Sequence, residues 1–186
     1  MDPSCSREDV LIRELCPWDA PSVQKINKGI GWEDYTSGIF RSLDRVFKKE
    51  RGMFSWVIQK RDSSECLGYI VVRDKENRRP ALQGRLSHDS VIGRVYFLAV
   101  SEKMQRKGIG EELMKKAVEH TRRVSSKLDL HCERENLPFY QRLAEKQNLG
   151  FQSEWVGTYS SGLDKYHCIF DLFPKRRMCP NELAFS

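Results

Sequence analysis

Residues 105–110 read Gln-Arg-Lys-Gly-Ile-Gly, and they join an apolar run, VYFLAV at 95–100, to the amphipathic stretch EELMKKAVEHTRRV at 111–124. Two glycines around one isoleucine make a turn with little side-chain bulk, followed by Glu111 and Glu112 in the first turn of a helix. The start of a helix leaves backbone N–H groups without intrahelical partners, which suits it to hold an anion. Two well-known glycine-rich phosphate motifs are excluded. A dinucleotide fingerprint needs a third glycine, and the residue three places after Gly110 is Leu113. A P-loop needs a longer interval between its glycines and then Gly-Lys-Ser/Thr, which is absent here. Lys103, Arg106 and Lys107 surround the turn and can add charge-assisted hydrogen bonds, while Gln105 can donate without charge.

Outward from the turn, strands and helices alternate. RVYFLAV (94–100) is apolar on both alternations, which predicts a central strand buried on both faces. After the turn, Ile109, Leu113, Ala117 and Thr121, with Met114 and Val118 beside them, line one face of a helix. KLDLHCE (127–133) alternates Leu128, Leu130 and Cys132 against Asp129, His131 and Glu133, a strand with one polar face. LPFYQRLAEKQN (137–148) reads as a helix with proline near its start and Gly150 after it. FQSEWVGTY (151–159) and KYHCIFDLF (165–173) are strands joined by the turn SSGLD.

Upstream, VLIREL (10–15) is a strand, and APSVQKINKG (20–29) a helix with Asp19 as acidic N-cap and a glycine stop. Tyr35, Ile39, Leu43 and Val46 share a face of a second helix within 32–50. MFSWVIQK (53–60) and CLGYIVVRD (66–74) form a hairpin. Residues 75–93, broken by Pro80, Gly84 and Gly93, read as a long loop.

The chain has 186 residues and a mass of 21.8 kDa, enough for one domain with a core that needs no staple. Its six cysteines show no C-x-x-C pair, which predicts free thiols and no metal site. The start resembles no targeting signal and no apolar run approaches ~20 residues, so a cytoplasmic protein, with the nucleus as alternative, and no membrane partner are expected. The net charge of +6 and a pI of 9.0 suit an anionic ligand or nucleic acid.

Gln105, Gly108 and Gly110, after the FLAV strand (97–100) and before HCERENLPFY (131–140), make the chain resemble the GCN5-related N-acetyltransferase (GNAT) superfamily. The resemblance implies an α/β (α+β) fold, with a mixed central sheet of about seven strands splayed between the fourth and fifth and roughly four flanking helices. It spans a domain at 10–173, leaving an N-terminal extension at 1–9 and a basic tail at 174–186. It implies acetyl-coenzyme A as co-substrate, an amine acceptor and no metal. Under it, the pyrophosphate lies on the turn formed by Gln105, Arg106, Lys107, Gly108, Ile109 and Gly110. The backbone of Leu98, Ala99 and Val100 holds the pantetheine arm, and Asn136 contacts the cofactor or caps the next helix. Tyr140 stands where many members keep a tyrosine near the departing sulfur; a phenol there can act as general acid toward a thiolate of pKa about 8.5.

The resemblance has two departures. Relatives reach the closing Gly-Phe sooner after this tyrosine, whereas QRLAEKQNL intervenes before Gly150 and Phe151. Relatives also often carry a glutamate or histidine on the central strand as base, and RVYFLAV has neither. His131, Glu133, Glu33, Asp34, His88 and Asp89 are substitutes of which none stands out, and His120 and His167 read as structural. The competing reading is a basic binding module without catalysis, directed to a cofactor or to nucleic acid. The absence of an aromatic stacking strand weighs against nucleic acid. Both a monomer and a homodimer fit. Arg78, Arg79 and Arg85 hint at an acidic acceptor.

Overall fold

The computed structural model describes residues 10–32, 36–48, 50, 52–76 and 91–173. The extension at 1–9, the tail at 174–186, Glu33, Asp34, Tyr35 and residues 77–90, with their arginines, His88 and Asp89, lie outside the described residues.

One seven-stranded sheet has the order β1-β2-β3-β4-β5-β7-β6. Its strands are β1 (Val10–Glu14), β2 (Met53–Lys60), β3 (Cys66–Glu76), β4 (Val91–Val100), β5 (Lys127–Glu133), β6 (Gly150–Thr158) and β7 (Asp164–Asp171). Neighbours pair antiparallel except β4 and β5, which run parallel. A parallel pair needs a crossover, and α3 (Ile109–Thr121) supplies it. The apolar stripe of α3 (Ile109, Leu113, Met114, Ala117, Val118) packs on one face of the sheet with Tyr140, Leu143 and Ala144 of α4 (Leu137–Gln147). On the other face α1 (Ala20–Gly29) and α2 (Thr36–Phe47) bury Val23, Ile26 and Leu43 against Val57, Tyr69 and Val71. The mixed sheet between two helical layers has the architecture expected from the sequence.

The pairing of β4 with β5 is short. It covers Gly93–Val95 against Leu128–Leu130 and goes no further. Beyond Val95, β4 stays paired with β3 while its other edge has no β5 partner, so the sheet opens between the fourth and fifth strands. The β3/β4 register shifts between Val71, opposite Phe97, and Val72, opposite Val95, which leaves Tyr96 as a bulge. A bulge turns the strand and re-aims its side chains. Tyr96 and Phe97 therefore both join the core on the α1/α2 face, while Leu98 and Val100 join that on the α3/α4 face.

Four local expectations are corrected. Only Gly93, Val95 and Ala99 of β4 are buried, because the open gap exposes one flank of the strand predicted to be covered throughout. The loop expected at 75–93 is shorter, since β3 runs to Glu76 and β4 begins at Val91. Asp19 precedes α1, but its carboxylate makes no cap bond to that helix. It accepts instead from Arg13 and from the Cys16 N–H, so it ties β1 to the helix entrance. Asp129, expected on a polar face, is 4% exposed. The long interval after Tyr140 is ordinary helix: α4 continues to Gln147, Asn148 caps it at φ 51°, and Gly150 opens β6.

Candidate active site

The gap between β4 and β5 widens into a cleft of about 1190 Å³. Leu98, Ala99, Val100, Gln105, Arg106, Gly108, Gly110, Asn136 and Tyr140 all line it. Two residues of the expected set do not. Ile109 turns its side chain into the core at 5% exposure, which leaves its backbone as the part able to meet a ligand. Lys107 is exposed on the outer side of the turn.

The turn is built for anion approach. Gly108 precedes α3 at φ 86°, a left-handed conformation that a side chain would strain, and an added Cβ would meet nothing within 4 Å. A Cβ on Gly110 would meet Phe139 at 3.5 Å, an ordinary contact. The protein's own packing thus leaves open space at Gly108 and an ordinary contact at Gly110. Arg106 also sits at positive φ, 61°, a conformation uncommon outside glycine that keeps its backbone in the same tight curve. The backbone ladder of α3 starts with Glu112 N–H donating to Gly108 O at 3.1 Å, so the N–H groups before it are those that a helix start leaves free. The Gln105 amide donates to Val100 O at 3.4 Å, tying the turn to the last residue of β4. Asn136 precedes α4 without a side-chain cap bond, leaving its amide for the cleft.

Tyr140 lies across the cleft, 8% exposed, its ring edge-on to Phe139 and Phe170 at 4.9 and 6.2 Å between centroids. Burial pushes its phenol well above the ordinary range, with the nearby Cys132 and Cys168 adding to the shift. The hydroxyl is therefore protonated throughout the physiological range.

Beside β5 and β7 stands an ion pair that the sequence reading passed over. Arg94 of β4 forks onto Asp129, directly opposite it in the β4/β5 register, with one bond at 2.7 Å. His167 Nε2 reaches the same carboxylate at 3.1 Å, which agrees with a structural role for this histidine. His120 is structural too, 3.2 Å from Asp74 and packed on Phe54. His131 and Glu133 both line the cleft. Desolvation, then Lys165, Arg94 and His167, push the His131 pKa from 6.5 down to about 4. Tyr159 and Trp32 also line the cleft. The available signal for the ion pair was a polar residue, Arg94, heading an apolar strand; its partner depended on a register that sequence spacing does not give.

No group of three or more His, Cys, Asp or Glu side chains forms a metal site among the described residues. Nor is any helix among them long and apolar enough to cross a membrane.

The family model described as "Acetyltransferase (GNAT) family" matches residues 17–145. A crystal structure of a putative GNAT acetyltransferase from Desulfovibrio desulfuricans superposes with a TM-score of 0.64 at 20% identity, covering 88% of this chain and 99% of that one. Arabidopsis thaliana NAA60 in complex with acetyl-CoA gives 0.63 at 17% identity, covering 87% and 98%. The ribosomal-protein-S18-alanine N-acetyltransferase of Escherichia coli gives 0.63 at 12% identity, covering 91% and 99%. At these identities the likeness speaks for the fold. A search of curated proteins gives no match.

Proposed function

The chain belongs to the acetyltransferase (GNAT) family, and on that premise we propose that it is an N-acetyltransferase carrying the acetyl group of acetyl-coenzyme A to a primary amine. The acceptor is a small amine, an amino acid or a protein amine, and attack is direct, in a ternary complex. The catalytic unit is residues 10–173, with 1–9 and 174–186 as appendages. A place in the cytoplasm or nucleus is part of the same reading.

The observation that carries the proposal is a coincidence of three features in one cleft: the edge of β4 beyond Val95 that β5 does not pair with, the left-handed glycine turn at the start of α3, and Tyr140 across from both. The residues fit the co-substrate. N–H groups from Arg106 to Gly110 take the pyrophosphate, with Arg106 as counter-charge and Gln105, Lys107 and Lys103 around it. Leu98, Ala99 and Val100 offer backbone groups along the open edge to the pantetheine amides, in the way a strand offers them to a neighbour. Asn136 supplies a further amide. Bound there, the thioester is the acetyl donor and the acceptor amine is the nucleophile. Tyr140 donates its O–H to the sulfur as charge develops on it, a contact worth most in a site from which water is excluded.

An alkylammonium with a pKa near 10 must lose a proton before it can attack. Of the sequence candidates among the described residues, His131 and Glu133 both line the cleft; desolvation and cationic neighbours lower the His131 pKa to about 4, too low for an efficient base at neutral pH. We assign removal of the proton to a water relay along these two residues.

A panel of amines, amino acids and peptides assayed for free-thiol release from acetyl-coenzyme A tests the reading. Amine-dependent release supports it. Nucleic acid raising the melting midpoint where acetyl-coenzyme A does not would favour a binding module instead.

A further inference from the structure

Beneath Tyr140, Cys132 of β5 and Cys168 of β7 bring their sulfurs to 3.5 Å. Both are buried, at 5% and 0% exposure, and Cys132 lines the cleft. They do not face each other in the ladder: Leu130 is opposite Cys168 and Cys132 is opposite Tyr166, so the contact is diagonal. The other described thiols rest elsewhere, Cys66 on Asp19 and Cys16 on the Glu14 carbonyl.

We propose that Cys132 and Cys168 are a peroxide-sensitive dithiol, and that their oxidation to a disulfide reversibly closes the cleft to acetyl-coenzyme A. The sulfur–sulfur contact is a hydrogen bond; donated by the Cys132 S–H, which that bond and burial hold as a thiol, it lowers the pKa of the Cys168 thiol and supports Cys168 as the thiolate that a peroxide attacks. Hydrogen peroxide, the oxidant, enters by the cleft. One of its oxygens passes to the Cys168 sulfur, giving sulfenic acid, and the other leaves as water. The Cys132 sulfur then attacks the sulfenic sulfur, the S–S bond forms, and the hydroxyl departs as a second water with the Cys132 proton. A dithiol reductant returns two electrons and two protons and restores both thiols.

Closure has a structural consequence. A disulfide needs ~2.0 Å between sulfurs and Cα atoms at most ~6.8 Å apart, whereas diagonal neighbours across a ladder stand ~7–8 Å apart. Bond formation therefore draws β5 and β7 together. Phe170, on which the Tyr140 ring rests at 6.2 Å, is two residues beyond Cys168, and β5 is the far wall of the gap, so both sides of the thioester's seat move.

The crosslink stands on the sulfur geometry, and only its consequence rests on the acetyl-coenzyme A reading. The test treats the reduced full-length chain with hydrogen peroxide, with and without acetyl-coenzyme A, then maps linked peptides and measures acetyl-coenzyme A affinity by calorimetry. The expected result is a 132–168 link, loss of affinity, recovery of both with dithiothreitol, and slower linking when acetyl-coenzyme A fills the cleft. Cys168→Ala and Cys132→Ala each show no dithiothreitol-reversible loss. Absence of the link in the wild-type chain, or a link that leaves affinity unchanged, overturns the proposal. Failure of the reduced, untreated chain to bind acetyl-coenzyme A counts against the functional reading instead, while the peptide map still decides the crosslink.

Discussion

Three positions in the cleft test the proposed chemistry, and each can be separated from the fold. Replacing Gly108 by valine puts a β-branched residue at φ 86° and adds bulk where the protein leaves open space at the turn proposed to hold the pyrophosphate. The space around its Cβ is empty of protein, so the cost falls on ligand binding and local backbone strain, on the order of 1–3 kcal/mol. Acetyl-coenzyme A affinity, read by calorimetry, should vanish in a Gly108→Val chain that remains folded. Tyr140→Phe keeps the ring packed on Phe139 and Phe170 and removes one hydroxyl. We expect kcat to fall by about 10²-fold, the scale of a lost transition-state donor, with cofactor affinity near wild type. Wild-type turnover in that variant would remove Tyr140 from the mechanism.

His131 adds a pH signature. Its folded pKa, about 4, lies below the unfolded value of 6.5, so between these limits the unfolded chain binds a proton that the folded chain does not. This contribution to stability is complete above pH 6.5 and is lost as pH falls toward 4. The effect is modest, because the ring faces water across the cleft. His131→Gln should flatten that part of the melting-temperature profile.

At the scale of elements, the site depends on where β4 and β5 part. The Arg94–Asp129 ion pair, with His167 on the same carboxylate, sits one rung before pairing stops at Val95 and Leu130. It fastens three strands at the root of the gap. Asp129→Ala would leave Arg94 and His167 facing a buried void, and removing one partner of a buried pair costs about 3 kcal/mol or more. Arg94→Met with Asp129→Leu should recover much of that loss in chemical denaturation, since apolar side chains of similar volume replace a buried pair at little cost. The same region marks the limit of what the sequence makes legible. The glycine turn, the helix after it and the strand before it are local patterns, and all three lie where the sequence reading put them. The Tyr96 bulge, the partner of Asp129 and the meeting of Cys132 with Cys168 are facts of register between distant strands, and alternation along one strand carries no information about what lies across from it. The polar alternation of KLDLHCE correctly separated two faces, but burial of Asp129 depended on Arg94 being opposite.

At the scale of the whole molecule, cations outnumber carboxylates along the cleft where an anion would go. Arg94, Arg106, Arg142, Lys146 and Lys165 line the cleft, against Glu111, Glu133 and Glu135. Glu111 is engaged by Lys146 at 2.8 Å, across the helices that bound the entrance. This distribution is what a phosphate-bearing co-substrate needs for attraction into a groove. The central claim, that this cleft holds acetyl-coenzyme A, is tested most directly by thermal denaturation of the full chain with and without that compound. A ligand bound only by the folded state adds about 2.7 kcal/mol at ~100 times its Kd, so the melting midpoint should rise with acetyl-coenzyme A in the wild type and stay in place in Gly108→Val. A wild-type midpoint that does not move at saturating acetyl-coenzyme A would contradict the account.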